Sequence, residues 1–233
     1  MNKSEHLFEE YCARGGIAYR PVLTTEYKTP DYIVTLGGVE VVVEVKGFTA
    51  NGEEDRAALE FEKNRVAVWG GGKPGRRIRA KIEQAKRQLE AGSAAGTPAV
   101  LVLVDERPEA VKGIWPYEIL IAMYGLESID LHVPENMSKP VRFGLRRFGR
   151  DGKLRLDAHT YISAIGVLRC KRREAGCEVD LHLDVYLNAY ASNPVPLSSM
   201  TCRDDITAFG IADGLGDQFR RWFRIPRDDE LTE

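Results

Sequence analysis

Asp31, Glu44 and Lys46 stand at spacings that can hold and use a divalent cation. Between the two carboxylates, Gly37 and Gly38 separate two runs rich in β-branched residues, Asp31 to Leu36 and Val39 to Lys46. Paired glycines supply the positive φ angles of a two-residue hairpin turn, so the runs are expected to be antiparallel strands. Leu36 then faces Val39, Ile33 faces Val42, and Asp31 faces Glu44. Directly opposed residues have Cβ atoms about 4.5–5.5 Å apart, close enough for both carboxylates to hold one hard cation such as Mg²⁺ or Mn²⁺. Lys46 leaves the same face two residues later. A cation there would polarise a phosphate and lower the pKa of a bound water. The lysine could orient or deprotonate that water, or steady the charge of the transition state. The plainer alternative is a surface Glu44–Lys46 ion pair beside an exposed Asp31. Opposed carboxylates repel, so removing Asp31 or Glu44 is expected to leave the metal-free protein as stable as before, or more so.

These residues need elements to position them. Leu7, Phe8, Tyr11 and Cys12 recur at helical spacing, which predicts a helix from Ser4, as N-cap, to about Arg14, with Gly15 or Gly16 as the stop. A strand is expected over Ile17 to Leu23. Gly47 to Pro74 has no clear period and reads as a long connection with at most one helical turn near Ala57 to Phe61; its GGGKPGRR lacks the order of a phosphate loop. Ile78, Ile82, Ala85 and Leu89 then form the buried stripe of a helix over Arg76 to Ala91, bordered by a polar stripe of Arg77, Lys81, Gln84 and Gln88. On its far side Arg79 and Arg87 are spaced to pair with Glu83. Pro98 to Asp105 is a continuous apolar run, suited to a strand covered on both faces. Two more strands are expected, over Tyr161 to Arg169 and Val179 to Leu187. In the second, Asp180, His182 and Asp184 share one face, where an exposed polar surface explains them more simply than a metal site. The aromatics of Tyr186 to Tyr190 are read as packing.

The chain has 233 residues, 43% of them hydrophobic and 29% charged, which is ordinary for a globular protein with its own core. No run approaches the roughly 18 uninterrupted apolar residues of a membrane span, and the N-terminus lacks a secretory apolar segment, so a cytoplasmic protein with no membrane partner is expected. Cys12, Cys170, Cys177 and Cys202 form no CxxC pair and are read as reduced thiols. The net charge is −2, yet cations cluster from Lys63 to Arg87 and from Arg142 to Arg173. Such local patches can neutralise phosphates while acidic residues elsewhere balance the total.

Pro30-Asp31 followed by Glu44-Val45-Lys46 after a hairpin resembles the PD-(D/E)XK nuclease superfamily, whose members include restriction enzymes and Holliday junction resolvases. The order helix, three strands, helix, strand over residues 4 to 105 is similar to that superfamily's common core. The resemblance implies an α/β, restriction-endonuclease-like core with a mixed sheet over residues 1–105. Residues 106–233 lie outside it and are expected to pack on the core, adding strands rather than forming an independent domain. It further implies metal ligation by Asp31, Glu44 and the Val45 carbonyl, with Lys46 as the catalytic lysine. The family often adds a glutamate from the first helix, for which Glu9 is preferred over Glu10. Gln84 matches a glutamine that several members carry on the following helix, with Arg77 and Lys81 then facing substrate phosphates. The function expected is a Mg²⁺- or Mn²⁺-dependent nuclease acting on DNA, with a homodimer as one compatible assembly. The rival is a nucleic-acid-binding or scaffolding module that keeps the fold without the chemistry. Retention of Asp31, Glu44 and Lys46 together favours the enzyme.

Overall fold

The structure is a computed structural model and describes residues 2–23, 29–66, 72–136, 138–148, 151–172, 179–212 and 221–231. Asn2, rather than Ser4, starts the first helix, α1 (Lys3–Arg14): its side chain accepts the Glu5 N–H at 2.9 Å, and the Glu5 carboxylate takes the Asn2 N–H in return. This reciprocal cap satisfies two otherwise orphaned donors. Ser4 is buried instead and donates its hydroxyl to Glu106 Oε1. The first strand is shorter than expected, β1 (Ala18–Pro21), and pairs antiparallel with β2 (Tyr32–Leu36). Gly37 and Gly38 adopt φ of 55° and 82°, and the turn they form sets β2 against β3 (Val39–Phe48) in the expected register, Tyr32 opposite Val43 and Leu36 opposite Val39.

Successive residues of β3 face opposite layers. Val41, Val43 and Val45 join Phe8, Tyr11 and Cys12 in a core beneath α1, whereas Val42 and Phe48 join Ile78, Ile82 and Leu89 in a core beneath a later helix. Glu44 and Lys46 fall between Val42 and Phe48, on that second face. The connection after β3 is not the loop expected: α2 (Gly52–Asn64) runs for 13 residues, begun by a capping box between Asn51 and Glu54. Only Glu54, Ala57 and Ala58 are buried in it, too thin an apolar stripe to register as a period. Next comes α3 (Arg76–Ser93), whose N-cap Gly75 has φ 70° and packs so closely on a neighbouring helix that a Cβ would lie 2.7 Å from the Glu118 carbonyl oxygen.

The apolar run forms β4 (Ala99–Asp105), parallel to β3 and buried on both faces as its composition implies. Then come α4 (Pro116–Tyr124) and a separate two-stranded antiparallel sheet of β5 (Glu127–His132) and β6 (Arg142–Phe148). β7 (Ile162–Arg172) lies parallel to β4, and β8 (Val179–Leu187), α5 (Ser198–Thr201), β9 (Ile206–Ala212) and β10 (Arg221–Arg224) follow. Among the described residues the main sheet has eight strands in the order β1-β2-β3-β4-β7-β8-β9-β10, mixed parallel and antiparallel, so the molecule is α/β with one large mixed sheet continuing through both halves of the chain. The polar face of β8 is not simply solvated: Asp184 pairs with Arg169, His182 meets Thr207 Oγ1 at 2.8 Å, and Tyr186 is buried and stacked on Phe209. Tyr190 packs edge-on against Tyr124, so these aromatics are core, as expected. No helix among the described residues is long and apolar enough to cross a membrane.

Candidate metal centre and its basic rim

Asp31 immediately precedes β2, and its backbone carbonyl still takes the Val22 N–H at 2.9 Å, continuing the β1–β2 ladder. Extending the β2–β3 register by one pair places it opposite Glu44. Its carboxylate is turned onto β3, where Oδ2 accepts the Val45 N–H at 2.8 Å. A strand residue presents its N–H and C=O to the same edge. The Val45 carbonyl therefore lies on the Asp31 side of β3, beyond the last regular β2–β3 pair. Glu44 is 1% exposed. Its Oε1 accepts a hydrogen bond from Lys46 Nζ, while Oε2 is buried and makes no well-formed hydrogen bond among the described residues, with the Asp31 backbone and carboxyl close beside the group.

Burial raises both carboxyls above their ordinary range. For Asp31 the burial effect is opposed by the Val45 N–H and by the charge of Lys46. For Glu44 burial is again the largest cause; the Lys46 hydrogen bond opposes it, the Asp31 charge adds to it, and the group is pushed up to about 7. A buried carboxylate oxygen without a partner is costly. One cation beside both carboxyls would remove that cost. The donors are all oxygens, which suits a hard ion. Among the described residues no group of three or more His, Cys, Asp or Glu side chains is arranged to hold a metal. An ion held by Asp31 and Glu44 would thus complete its shell with the Val45 carbonyl, water and substrate oxygens, the habit of Mg²⁺.

The other expected residues divide. Glu9 accepts from the Tyr32 hydroxyl at 3.0 Å, and Tyr32 belongs to the core beneath α1, so Glu9 is held on that side rather than with Glu44. Glu10 pairs with Arg14. The helix glutamate whose charge is felt at Asp31 is Glu5, one turn earlier than either candidate weighed from sequence. Its i, i+4 relation to Glu9 is the signal that would have found it. Gln84 is exposed and shares a shallow depression with Lys46, Glu83, Lys86 and Arg87. α3 runs back along β3, with Arg77 and Lys81 over the Phe48 ring, at 5.3 and 5.8 Å, and Gly92 against Val42 and Pro30. With about 1.5 Å rise per helical residue against about 3.3 Å per strand residue, Gln88 falls level with Glu44. Its Oε1 is buried without a partner among the described residues, so the stripe carries a second glutamine, level with Glu44 along the strand, that its spacing alone did not single out.

Of the two expected phosphate contacts, Arg77 is already engaged: it donates to both Glu54 oxygens, at 2.6 and 2.7 Å, and to the Thr49 carbonyl. Lys81 makes no ion pair among the described residues. Burial, then the nearby charges of Lys46 and Arg77, lowers its pKa. An anion between Lys46 and Lys81 would relieve that repulsion. Arg79 and Arg87 do not take Glu83, contrary to the spacing argument; Lys86 and Lys153 bind it, at 2.9 and 2.7 Å, and hold its carboxyl at about 2. In the second basic stretch Arg155 pairs with Asp157 and Arg169 with Asp184, while the side chains of residues 145–150 and 171–179 lie outside those described. Cys12, Cys170 and Cys202 are free thiols; Cys177 lies outside the described residues.

No family model matches the chain, and neither does any curated protein or solved structure.

Proposed function

We propose that this chain is a divalent-metal-dependent nuclease with a restriction-endonuclease-like core, hydrolysing phosphodiester bonds in DNA. The observation that carries the reading is Glu44: a carboxylate 1% exposed, with one oxygen unpartnered, placed opposite Asp31 and next to Lys46 at the end of a hairpin. Asp31 and Glu44 would hold Mg²⁺ or Mn²⁺ with the Val45 carbonyl, and the bound ion supplies a polarised phosphate and a water of lowered pKa. Lys46, 23% exposed, reaches from the buried carboxylate to the surface shared with Gln84, where its ammonium can stabilise charge developing on the phosphate or orient the water. Lys81 would bind a neighbouring phosphate. The reading places the protein in the cytoplasm, where thiols such as Cys12 remain reduced, as a monomer or homodimer.

One feature favours a non-catalytic module instead: the Glu44–Lys46 ion pair already satisfies half of the buried carboxylate without metal. Calorimetric titration with Mn²⁺ separates the two. The nuclease reading expects one-site binding in the wild type that Glu44→Gln and Asp31→Asn both lose. Binding unchanged in those variants would remove the ligands from the account.

A further inference from the structure

Phe48 lines a cavity of about 770 Å³, separate from the depression at Lys46 and within the size range of ligand pockets. Phe48 follows Lys46 by two residues on the same face of β3. Among the described residues the cavity's other walls come from the start of α2, from residues 72–75 and the start of α3, from Arg107, and from the segment entering α4. The two part-buried arginines here are occupied, since Glu54 binds both Arg77 and Arg107, and Asp105 binds Arg107 as well. What the cavity presents to a ligand is aromatic. Trp115 and Tyr117 are 65% and 60% exposed on its wall, while exposed Lys73 and Arg76, at its outer side, make no ion pair among the described residues. Glu53 and Glu118 also line it, and Glu118 is turned back onto the Trp115 N–H as a helix cap.

The Trp115 ring is held in place. A Cβ built on Gly113 would lie 3.1 Å from its Nε1 and Cε2, so the indole rests on that glycine, and Pro116 stiffens the chain directly after it. An anchored, exposed aromatic beside cations is the arrangement on which single-stranded nucleic acids stack. A base inside a duplex has both faces covered and cannot use it. We infer that this cavity binds an unpaired stretch of nucleic-acid strand, its bases stacking on Trp115 and Tyr117 while the adjoining phosphates run past Lys81 toward Lys46. The inference rests on the nuclease reading for where the strand leads. It narrows the substrate to nucleic acid with a single-stranded segment beside the cut, such as an end, flap or gap.

The test is fluorescence anisotropy with a labelled oligothymidylate and a labelled blunt-ended, loop-free duplex, in Ca²⁺. Trp115→Ala combined with Tyr117→Ala should weaken single-strand binding about 10- to 100-fold, given the usual worth of base–aromatic stacking, and leave duplex binding unchanged. Trp115→Phe should retain most of the affinity, and the double variant should keep wild-type Mn²⁺ binding, which shows the centre intact. Equal losses on both probes, no loss on either, or a wild type that does not bind the single strand overturns the inference. If the single strand binds through Trp115 yet Mg²⁺ produces no cleavage, this inference stands and the nuclease reading falls. If Glu44-dependent cleavage is found but the aromatic variant binds and cuts as the wild type does, the reverse holds.

Discussion

The Val45 N–H donates to Asp31 Oδ2 at 2.8 Å, tying the carboxylate at the start of β2 to the strand residue between Glu44 and Lys46. The bond does what regular pairing would do one step further along the hairpin. It aims Asp31 at the centre of β3, and it makes Asp31 structural as well as a candidate ligand.

Asp31→Ala and Asp31→Asn should therefore differ in stability while both lose metal-dependent cleavage. The alanine leaves the Val45 N–H without its acceptor, at a cost of about 1–3 kcal/mol. The asparagine keeps an acceptor and removes the charge. In thermal melts with EDTA the alanine variant should melt lower and the asparagine variant near wild type. Charge repulsion alone predicts the opposite for the alanine variant, a stability level with or above wild type, and a melt of that kind would show that the Val45 hydrogen bond matters less than the repulsion.

Glu44 gives the metal-free protein a pH dependence. Its carboxyl is raised to about 7 in the fold from an ordinary 4.5, so the folded state holds its proton more tightly than the unfolded chain. The stability linked to that proton is complete below about pH 4.5, falls as pH rises, and is gone above about pH 7, a change on the order of a few kcal/mol. Denaturant melts in EDTA across that window should show the slope, and Glu44→Gln should flatten it. The same proton competes with metal, so Mn²⁺ affinity should climb to about pH 7 and then level off. A pH-independent affinity would contradict the role given to Glu44.

Much of the fold around this pair is legible because its signals are local. The Gly37-Gly38 turn fixes which residues face each other, and the period-2 alternation of β3 assigns Glu44 and Lys46 to one layer. What could not be read depends on distant partners. α2 is held by the bonds of Glu54 to Arg77 and Arg107, at sequence separations that no window covers. Those same bonds occupy Arg77, whose place on the polar stripe gave no hint of it. Glu5 was hidden by its second role in the helix cap, and Gln88 by the need to know how far α3 travels back along β3.

Lys46→Ala should slow cleavage strongly without abolishing metal binding. Removing the ammonium leaves Glu44 Oε1 unpaired as well as Oε2, so the metal-free variant should lose about 1–3 kcal/mol. A saturating divalent ion should then raise its Tm by more than it raises that of wild type. Lys46→Arg, which keeps charge but cannot readily give up a proton, should not restore turnover. Full activity in the arginine variant would reduce Lys46 to a fixed charge.

Lys81 and Arg77 should separate cleanly. Lys81→Ala should weaken nucleic-acid binding for all sequences alike and lower the salt-dependence slope by roughly 0.9 on duplex DNA. Arg77→Ala should act mainly on stability, since it strips one of the two guanidinium partners from buried Glu54. Anisotropy titrations across a salt series, run beside thermal melts, would show it. Equal effects of both variants on affinity would mean that Arg77 leaves Glu54 to meet the substrate.

The most direct test of the metal centre is cleavage of internally labelled DNA, offered linear, nicked, circular and single-stranded, by wild type and Glu44→Gln in Mg²⁺ and in EDTA. The account predicts cleavage by the wild type in Mg²⁺ alone and none by the variant in either. Cleavage that survives EDTA, or a Glu44→Gln protein that cuts like the wild type, would contradict it.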